Sequence, residues 1–164
     1  DAREYATLLN ACGRLRKPSF GIGTFLENST SKEKANELLK SYKLEIINVL
    51  GWFNKNKDKF IKGDKFIIIN AQDNIKDSMI GTLCGILCSS NVYSRNCVIL
   101  GMVYTSEGDI KISMRTNNPN VDLREIIKKV ANGGGHSNAC GAFIKREEEQ
   151  EFINSMNDVL TKVL

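Results

Sequence analysis

The sequence lacks any apolar run of membrane-spanning length, and it lacks a CxxC cysteine pair. Its 164 residues are 41% hydrophobic and 26% charged, values of a globular chain that argue against disorder. The five cysteines are odd in number, which disfavours a disulfide framework and predicts small buried thiols in a reducing cytosol. We therefore expect a cytoplasmic protein with no membrane partner.

Histidine is almost absent, since His136 is the only one. One histidine and scattered carboxylates do not supply the clustered ligands of a metal-assisted phosphoesterase, and no Ser-His-Asp or Cys-His arrangement follows from spacing. A zinc site from His136 and Cys140 with Cys84 and Cys88 stays open as an alternative, although it lacks the usual short spacing. The pattern favours a binding domain over a complete enzyme.

Two periodicities divide the sequence. Apolar residues recur at helical spacing in residues 31–57, which predicts a long amphipathic helix capped by Ser31. A shorter helix precedes it and ends at Gly13, while GIGTFLE fits a helix or a strand. From residue 64, apolar strands alternate with helical segments. The predicted fold is α/β, with a mixed β-sheet flanked by helices and an N-terminal helical segment.

The second part of the chain contains the candidate sheet. We expect strands at FIII, CVILGMVY, DIKISMR and GAFI, and helices over residues 73–90, 121–131 and 147–164. Strand–helix–strand crossovers and one antiparallel hairpin, turning at Gly108, connect these elements.

The positive charge is concentrated in one segment. Residues 109–146 carry seven basic and three acidic side chains, leaving 16 of the 23 basic and 16 of the 19 acidic residues for the rest of the chain. The net charge of +4 therefore arises in this segment. This excess predicts an anionic partner, with a basic solvated surface as the alternative.

The strand DIKISMR alternates strictly between apolar and polar residues. Its polar face would carry Lys111, Ser113 and Arg115, which combine an ammonium group, a hydroxyl donor and a guanidinium fork. These are the groups that a phosphate-binding surface needs, although such a face could also meet only water.

The stretch NGGGHSNACG places three glycines directly before the single histidine. Gly133, Gly134 and Gly135 can turn successive N–H groups toward one point, which predicts an anion-binding loop. If HSNAC begins a helix, the helix dipole adds to that site and His136 stands at its edge. A flexible connection with an incidental histidine is the alternative.

These motifs resemble a known family. GGGHSNACGAF resembles the GGGH-x-x-A-x-G signature of the DHH-associated C-terminal domain of DHH-type phosphoesterases, which include the RecJ exonucleases. KISMRT resembles the S-x-R strand of that family, and VDLREIIKKVA fits the helix between the two motifs. DAREYATLLNACGR is similar to the segment that leads into this domain in archaeal RecJ-like exonucleases. Cys140 departs from the family's usual alanine.

The resemblance implies an organisation of the chain. Residues 1–60 would be a helical lead-in from a catalytic domain, and residues 61–164 the substrate-binding α/β domain. Because the sequence begins at Asp1 rather than Met, we expect it to be a piece of a longer polypeptide. That polypeptide would carry the catalytic domain and its manganese, with no cofactor and no catalytic residue in this piece.

The resemblance also implies a ligand, namely single-stranded DNA or RNA or a nucleotide phosphate. Its S-x-R motif falls on Ser113 and Arg115, and its signature falls on Gly133–His136. Two alternatives stay open. The parent protein could be a phosphodiesterase for short oligonucleotides or cyclic dinucleotides, or a catalytically inactive scaffold that contacts replication proteins.

Overall fold

A computed structural model describes residues 2–26, 28–90, 93 and 96–164. The chain divides into two compact units, Asp1–Gly51 and Trp52–Leu164. The predicted boundary at residue 60 separates a helical lead-in from a substrate-binding domain by their roles, and this division stays a prediction. None of the helices in the described ranges is long and apolar enough to cross a membrane.

The first unit is helical. Its elements are α1 (Ala2–Arg14), α2 (Pro18–Phe25) and α3 (Ser29–Asn56), which continues into the second unit. Of the stretch GIGTFLE, Gly21 to Phe25 is therefore helical, and Glu27 lies outside the described residues. Leu8, Cys12 and Ala35 form the buried core of this unit, with Phe20, Leu38 and Leu39 packed against it.

The long predicted helix is confirmed, but its cap is not Ser31. The side chain of Asn28 accepts a hydrogen bond from the backbone N–H of Ser31 at 2.9 Å, as an N-cap does three residues before the group that it satisfies. Ser31 thus lies inside the first turn. Along the helix, Ala35, Tyr42 and Val49 are buried at intervals of seven residues, which matches one stripe of an amphipathic helix.

The second unit contains a six-stranded mixed sheet. Its strands are β1 (Ile61–Lys62), β2 (Phe66–Asn70), β3 (Val98–Tyr104), β4 (Asp109–Thr116), β5 (Gly133–His136) and β6 (Ala139–Lys145). They lie in the order β1-β2-β3-β4-β6-β5. Among the described strands, β2 and β3 pair in parallel, while the other neighbouring pairs are antiparallel. The predicted α/β class with a mixed sheet and flanking helices is confirmed.

Helices cover the two faces of this sheet unequally. On one face, α5 (Leu123–Ile127) and α6 (Glu149–Val163) pack on a core that includes Ile112, Met114 and Ala142. On the other face, α4 (Ile80–Ser89) packs against β3 through Ile80 and Cys84. Both α4 and α5 are shorter than the predicted helices, because residues 73–79 and 128–132 form turns and bends.

The glycine stretch forms a strand rather than a loop. Gly133–His136 is β5, the edge strand, and it pairs with β6 through a two-residue turn at Ser137 and Asn138. The carbonyl of Ser137 accepts from Leu123 N and that of Asn138 from Thr116 N, which fixes this turn to its neighbours. HSNAC does not begin a helix, and antiparallel hairpins join β1 to β2 and β5 to β6 in addition to the expected hairpin at Gly108.

Gly101 permits the close approach of α4 to the sheet. A Cβ at this position of β3 would lie 2.6 Å from Cys84 Sγ and 2.6 Å from Ile80 Cδ1. The packing of the buried face therefore depends on the missing side chain.

We expect Gly101→Ala to lower the free energy of unfolding by about 1–3 kcal/mol, because the added methyl overpacks the α4 interface. Gly85→Ala is the matched control. Its Cβ would meet no atom within 4 Å, and alanine favours a helix by up to about 1 kcal/mol over glycine. Urea denaturation should thus show opposite signs for the two variants, and a loss of stability in both would contradict this packing.

Candidate functional site

Within the described residues of the second unit, the face of the sheet that carries α4 is open toward β4, β6 and β5, although β4 still contacts α4 through Ser113 and Cys84. A cleft of about 530 Å³ lies there, with its lining drawn from these three strands and Asn132. Side chains of paired residues on neighbouring antiparallel strands point to the same face. The strand register therefore decides which residues reach the cleft.

Three rows of paired residues cross the cleft. One row joins Arg115 on β4 to Ala139 on β6 and His136 on β5. The next row joins Ser113, Gly141 and Gly134, and the last joins Lys111 to Phe143. The polar face predicted for β4 thus faces the cleft, while Ile110, Ile112 and Met114 are buried in the core on the opposite side.

The middle row has almost no side chains. Ser113 is buried, and Gly141 could not carry a Cβ, which would lie 2.7 Å from the carbonyl oxygen of Ile112. A Cβ on Gly134 would meet no atom within 4 Å. Packing within the described chain therefore explains why residue 141 has no side chain. It does not explain why residue 134 has none, because Gly134 faces the open cleft. This bare floor lets a bulky ligand approach the backbone.

The three consecutive glycines have separate structural reasons. Gly133 faces the core, where a Cβ would lie 2.7 Å from Ile127 Cγ1. Gly135 has φ +140°, a left-handed value, and a Cβ there would lie 2.5 Å from the carbonyl oxygen of Ala139. The predicted loop with three convergent N–H groups is therefore not formed, since successive N–H groups of a strand point alternately to its two edges. The backbone donors left are those on the unpaired edge of β5.

Arg115 lies on one side of the floor and keeps its charge available. Its Nη1 donates to Ser113 Oγ at 3.2 Å and to the carbonyl oxygen of Met114 at 2.7 Å. Among the described residues, no carboxylate forms an ion pair with it. Burial raises the pKa of the nearby Cys84 thiol to about 12, so this group stays neutral and leaves the guanidinium uncompensated.

Lys111 occupies the other end of the same strand face. Its Nζ donates to the backbone carbonyl of Asp77 at 3.1 Å. Lys111 and Arg115 are four residues apart, a separation of about 13 Å along a strand. The two cations therefore stand at opposite ends of the cleft and suit two anionic groups rather than one.

The other cations of the basic segment do not line the cleft. Three of them form ion pairs with the three acidic residues of the segment, in the pairs Arg124–Asp122, Lys128–Glu125 and Lys145–Asp109. Arg124 donates to Asp122 and lowers the pKa of that carboxyl to about 2. The charge excess predicts an anion-binding role, and the cations that could fill this role in the cleft are Lys111 and Arg115.

His136 lies at the β5 end of the first row and is not among the residues that line the cleft. It is exposed and shares a row with Arg115, with Ala139 between them, so the two Cα atoms are about 10 Å apart across the sheet. Cys140 points to the opposite face, where its Sγ donates to the carbonyl oxygen of Leu123. The alternative zinc site is therefore not formed, and the described residues contain no group of three potential metal ligands.

Phe143 is a cleft residue that the sequence patterns did not reveal. It lines the cleft beside Lys111 and is 61% exposed, whereas its neighbours Ala142 and Ile144 are buried. The alternation of ACGAFIK carries this signal, because Cys140, Ala142 and Ile144 are the buried positions and Phe143 falls between them. Asn132, just before β5, also lines the cleft and was not foreseen.

Comparison with known families gives this arrangement a context. The DHHA1 domain matches residues 63–162. The chain belongs to the DHHA1 domain family. An uncharacterized protein of Methanocaldococcus jannaschii is 31% identical over 173 residues, covering 100% of this chain and 36% of the relative. The chain thus spans about a third of that relative's length.

Solved structures share the fold of this DHHA1 chain. RecJ of Thermus thermophilus in complex with Mn²⁺ matches with a TM-score of 0.74 at 14% identity, over 97% of this chain and 24% of that one. An exopolyphosphatase-related protein from Bacteroides fragilis matches with a TM-score of 0.58 at 20% identity, over 90% of this chain and 43% of that one. The resemblance to the DHH-associated domain is confirmed, and the fold alone does not choose a ligand.

We expect Gly134→Val to leave the fold intact, because the new side chain enters open space in an edge strand. Its free energy of unfolding should stay within about 0.5 kcal/mol of the wild type. Gly135→Val should lose at least about 1–3 kcal/mol, since valine does not tolerate a left-handed φ and would press on β6. Urea denaturation measures both, and equal losses would mean that Gly134 is a packing glycine.

Proposed function

We propose that this DHHA1 domain binds the phosphates of single-stranded DNA or RNA on behalf of a DHH-type phosphoesterase. The observation that carries the proposal is the uncovered cleft with a glycine floor between Lys111 and Arg115. A guanidinium without a carboxylate partner is free to bind two phosphate oxygens with charge-assisted hydrogen bonds.

The other expected residues have definite roles in this proposal. Gly134 allows the nucleic-acid backbone to lie close to the sheet, and Ser113 orients the guanidinium through its 3.2 Å contact. His136 approaches the same phosphate as Arg115 from the other side of Ala139. Gly133 and Gly135 support the site indirectly, because they allow β5 to pack against α5 and β6.

The proposed division of labour places hydrolysis in a separate catalytic domain of the parent protein, with manganese held there. The Thermus thermophilus RecJ structure contains Mn²⁺, which supports this expectation for the parent. The described part of this chain has no group of three His, Cys, Asp or Glu side chains that fits a metal ion. In this proposal, the DHHA1 domain contributes the binding of the single-stranded nucleic acid. We propose a cytoplasmic location, supported by five free cysteines.

Arg115→Ala should weaken binding of a 5′-phosphorylated single-stranded oligonucleotide about tenfold or more. The variant removes a charge-assisted contact of roughly 1.5–3 kcal/mol. Because each phosphate contact to a single strand contributes about −0.7 to the slope of log K against log salt, that slope should also become shallower by about 0.7. Fluorescence anisotropy at several salt concentrations gives both values.

Lys129→Ala is the matched control for Arg115→Ala. It removes the same charge from the turn after α5, outside the cleft, and should change affinity less than about twofold. Equal losses in the two variants would show that the oligonucleotide senses only net charge, and the cleft would then not be the binding site.

The chain by itself should not degrade single-stranded DNA or RNA, even with added manganese. Its described residues bind phosphate in this proposal but provide no metal-ligand group. A gel assay with labelled oligonucleotides over several hours tests this. Manganese-dependent digestion that follows the wild-type protein through purification, and disappears in Arg115→Ala, would contradict the assignment of catalysis to another domain.

A further inference from the structure

Phe143 places a phenyl ring in water next to Lys111, one of the two cations of the cleft. Single exposed apolar residues are common on protein surfaces, so the 61% exposure alone indicates no site. Its position is the informative feature. Phe143 is paired with Lys111, and both line the cleft that contains Arg115.

The strand register sets the spacing between this ring and the phosphate contacts. From the Phe143 row to the row of Ser113, Gly141 and Gly134 is two residues, or about 7 Å, and Arg115 is about 7 Å further. Between the ring and the guanidinium lies a floor with little side-chain bulk. The cleft thus has a phenyl ring at one end, backbone with little side-chain bulk in the middle and a guanidinium group at the other end.

We propose that Phe143 is a stacking platform for a nucleobase, so that the cleft takes a base-bearing nucleotide chain rather than an inorganic phosphate chain. This inference rests on the proposed phosphate-binding function of the same cleft and names its substrate class. The base stacks on Phe143, the sugar lies over Gly134 and Gly141, and a phosphate reaches Arg115. Lys111 adds charge near the ring.

The chemistry of the ring separates these two ligand classes. Every base has an aromatic face, so stacking on phenylalanine adds affinity without selecting a sequence. An inorganic phosphate chain has no apolar surface to cover the ring, and it would gain only from the two cations. A domain for inorganic chains would therefore gain nothing from a phenyl group at this position.

Three ligands test the proposal on the 164-residue chain. They are a 5′-phosphorylated diadenylate, an abasic dinucleotide with the same phosphates, and tripolyphosphate. The variants are Phe143→Leu, which keeps apolar bulk without the ring, and Phe143→Trp, which keeps an aromatic face. Ile61→Ala on β1, at the opposite edge of the sheet, is the control for loss of a part-exposed apolar side chain.

Phe143→Leu should weaken diadenylate binding roughly 5- to 100-fold, and Phe143→Trp should keep it within about twofold of the wild type or strengthen it. Affinities for the abasic dinucleotide and tripolyphosphate should change less than about twofold in both variants. Because the ring is largely exposed, circular dichroism should show an unchanged fold. Ile61→Ala should bind all three ligands as the wild type does.

The failure of this inference is distinguishable from failure of the phosphate site. If Phe143→Leu binds diadenylate normally while Arg115→Ala weakens all three ligands, stacking is overturned and the phosphate cleft stands. If Phe143→Trp is as weak as Phe143→Leu, stacking is likewise overturned. If Arg115→Ala has no effect on any ligand, or if none binds the wild type, the proposed function fails, and the stacking platform fails with it.

Discussion

The antiparallel register of β4, β6 and β5 is the constraint on which the cleft depends. Pairing Arg115 with Ala139, and Ala139 with His136, puts the charged side of β4 on the same face as Gly134. A slip of one residue in β6 would turn Phe143 into the core and bring Ile144 to the surface. The buried side chains of Cys140, Ala142 and Ile144 on β6 oppose that slip, since each would leave the core. Hydrophobic burial on one face thus positions the polar groups on the other.

Much of this arrangement follows from periodicity in the sequence. The helical spacing of residues 31–57 and the alternation of DIKISMR predict the long helix, strand β4 and its two faces. The strand is predicted because every second residue is large and apolar. The helix is predicted because every third or fourth residue is large and apolar. The buried strand at Phe66 follows from an unbroken apolar run. The structure can be predicted from the sequence pattern where large apolar side chains mark the buried positions.

The structure of the glycine stretch cannot be predicted from periodicity. Glycine has no side chain to record which face is buried, so Gly133–Gly135 has no visible period of two and resembles a loop. Tertiary contacts decide its structure, because β6 supplies the partner strand and Ile127 occupies the space that a Cβ at Gly133 would need. The shortened α5 has a related cause, since the chain leaves the helix in a turn before β5 begins. Phe143 is not among the predicted site residues because an aromatic residue in an apolar strand is usually buried, and the register agrees with the alternation of ACGAFIK in showing that it faces out.

The charge distribution also limits what this domain does alone. Three of the seven cations in the basic segment are paired with carboxylates, and only Lys111 and Arg115 line the cleft. In the proposed function, two cations release few counterions on binding a single nucleic-acid strand, so electrostatics alone gives weak affinity that falls with salt. An open cleft also leaves one side of the ligand in water, where its phosphates keep most of their hydration. In the proposed function, the parent phosphoesterase would therefore need a second surface against the strand, and this domain would contribute register and orientation rather than most of the affinity.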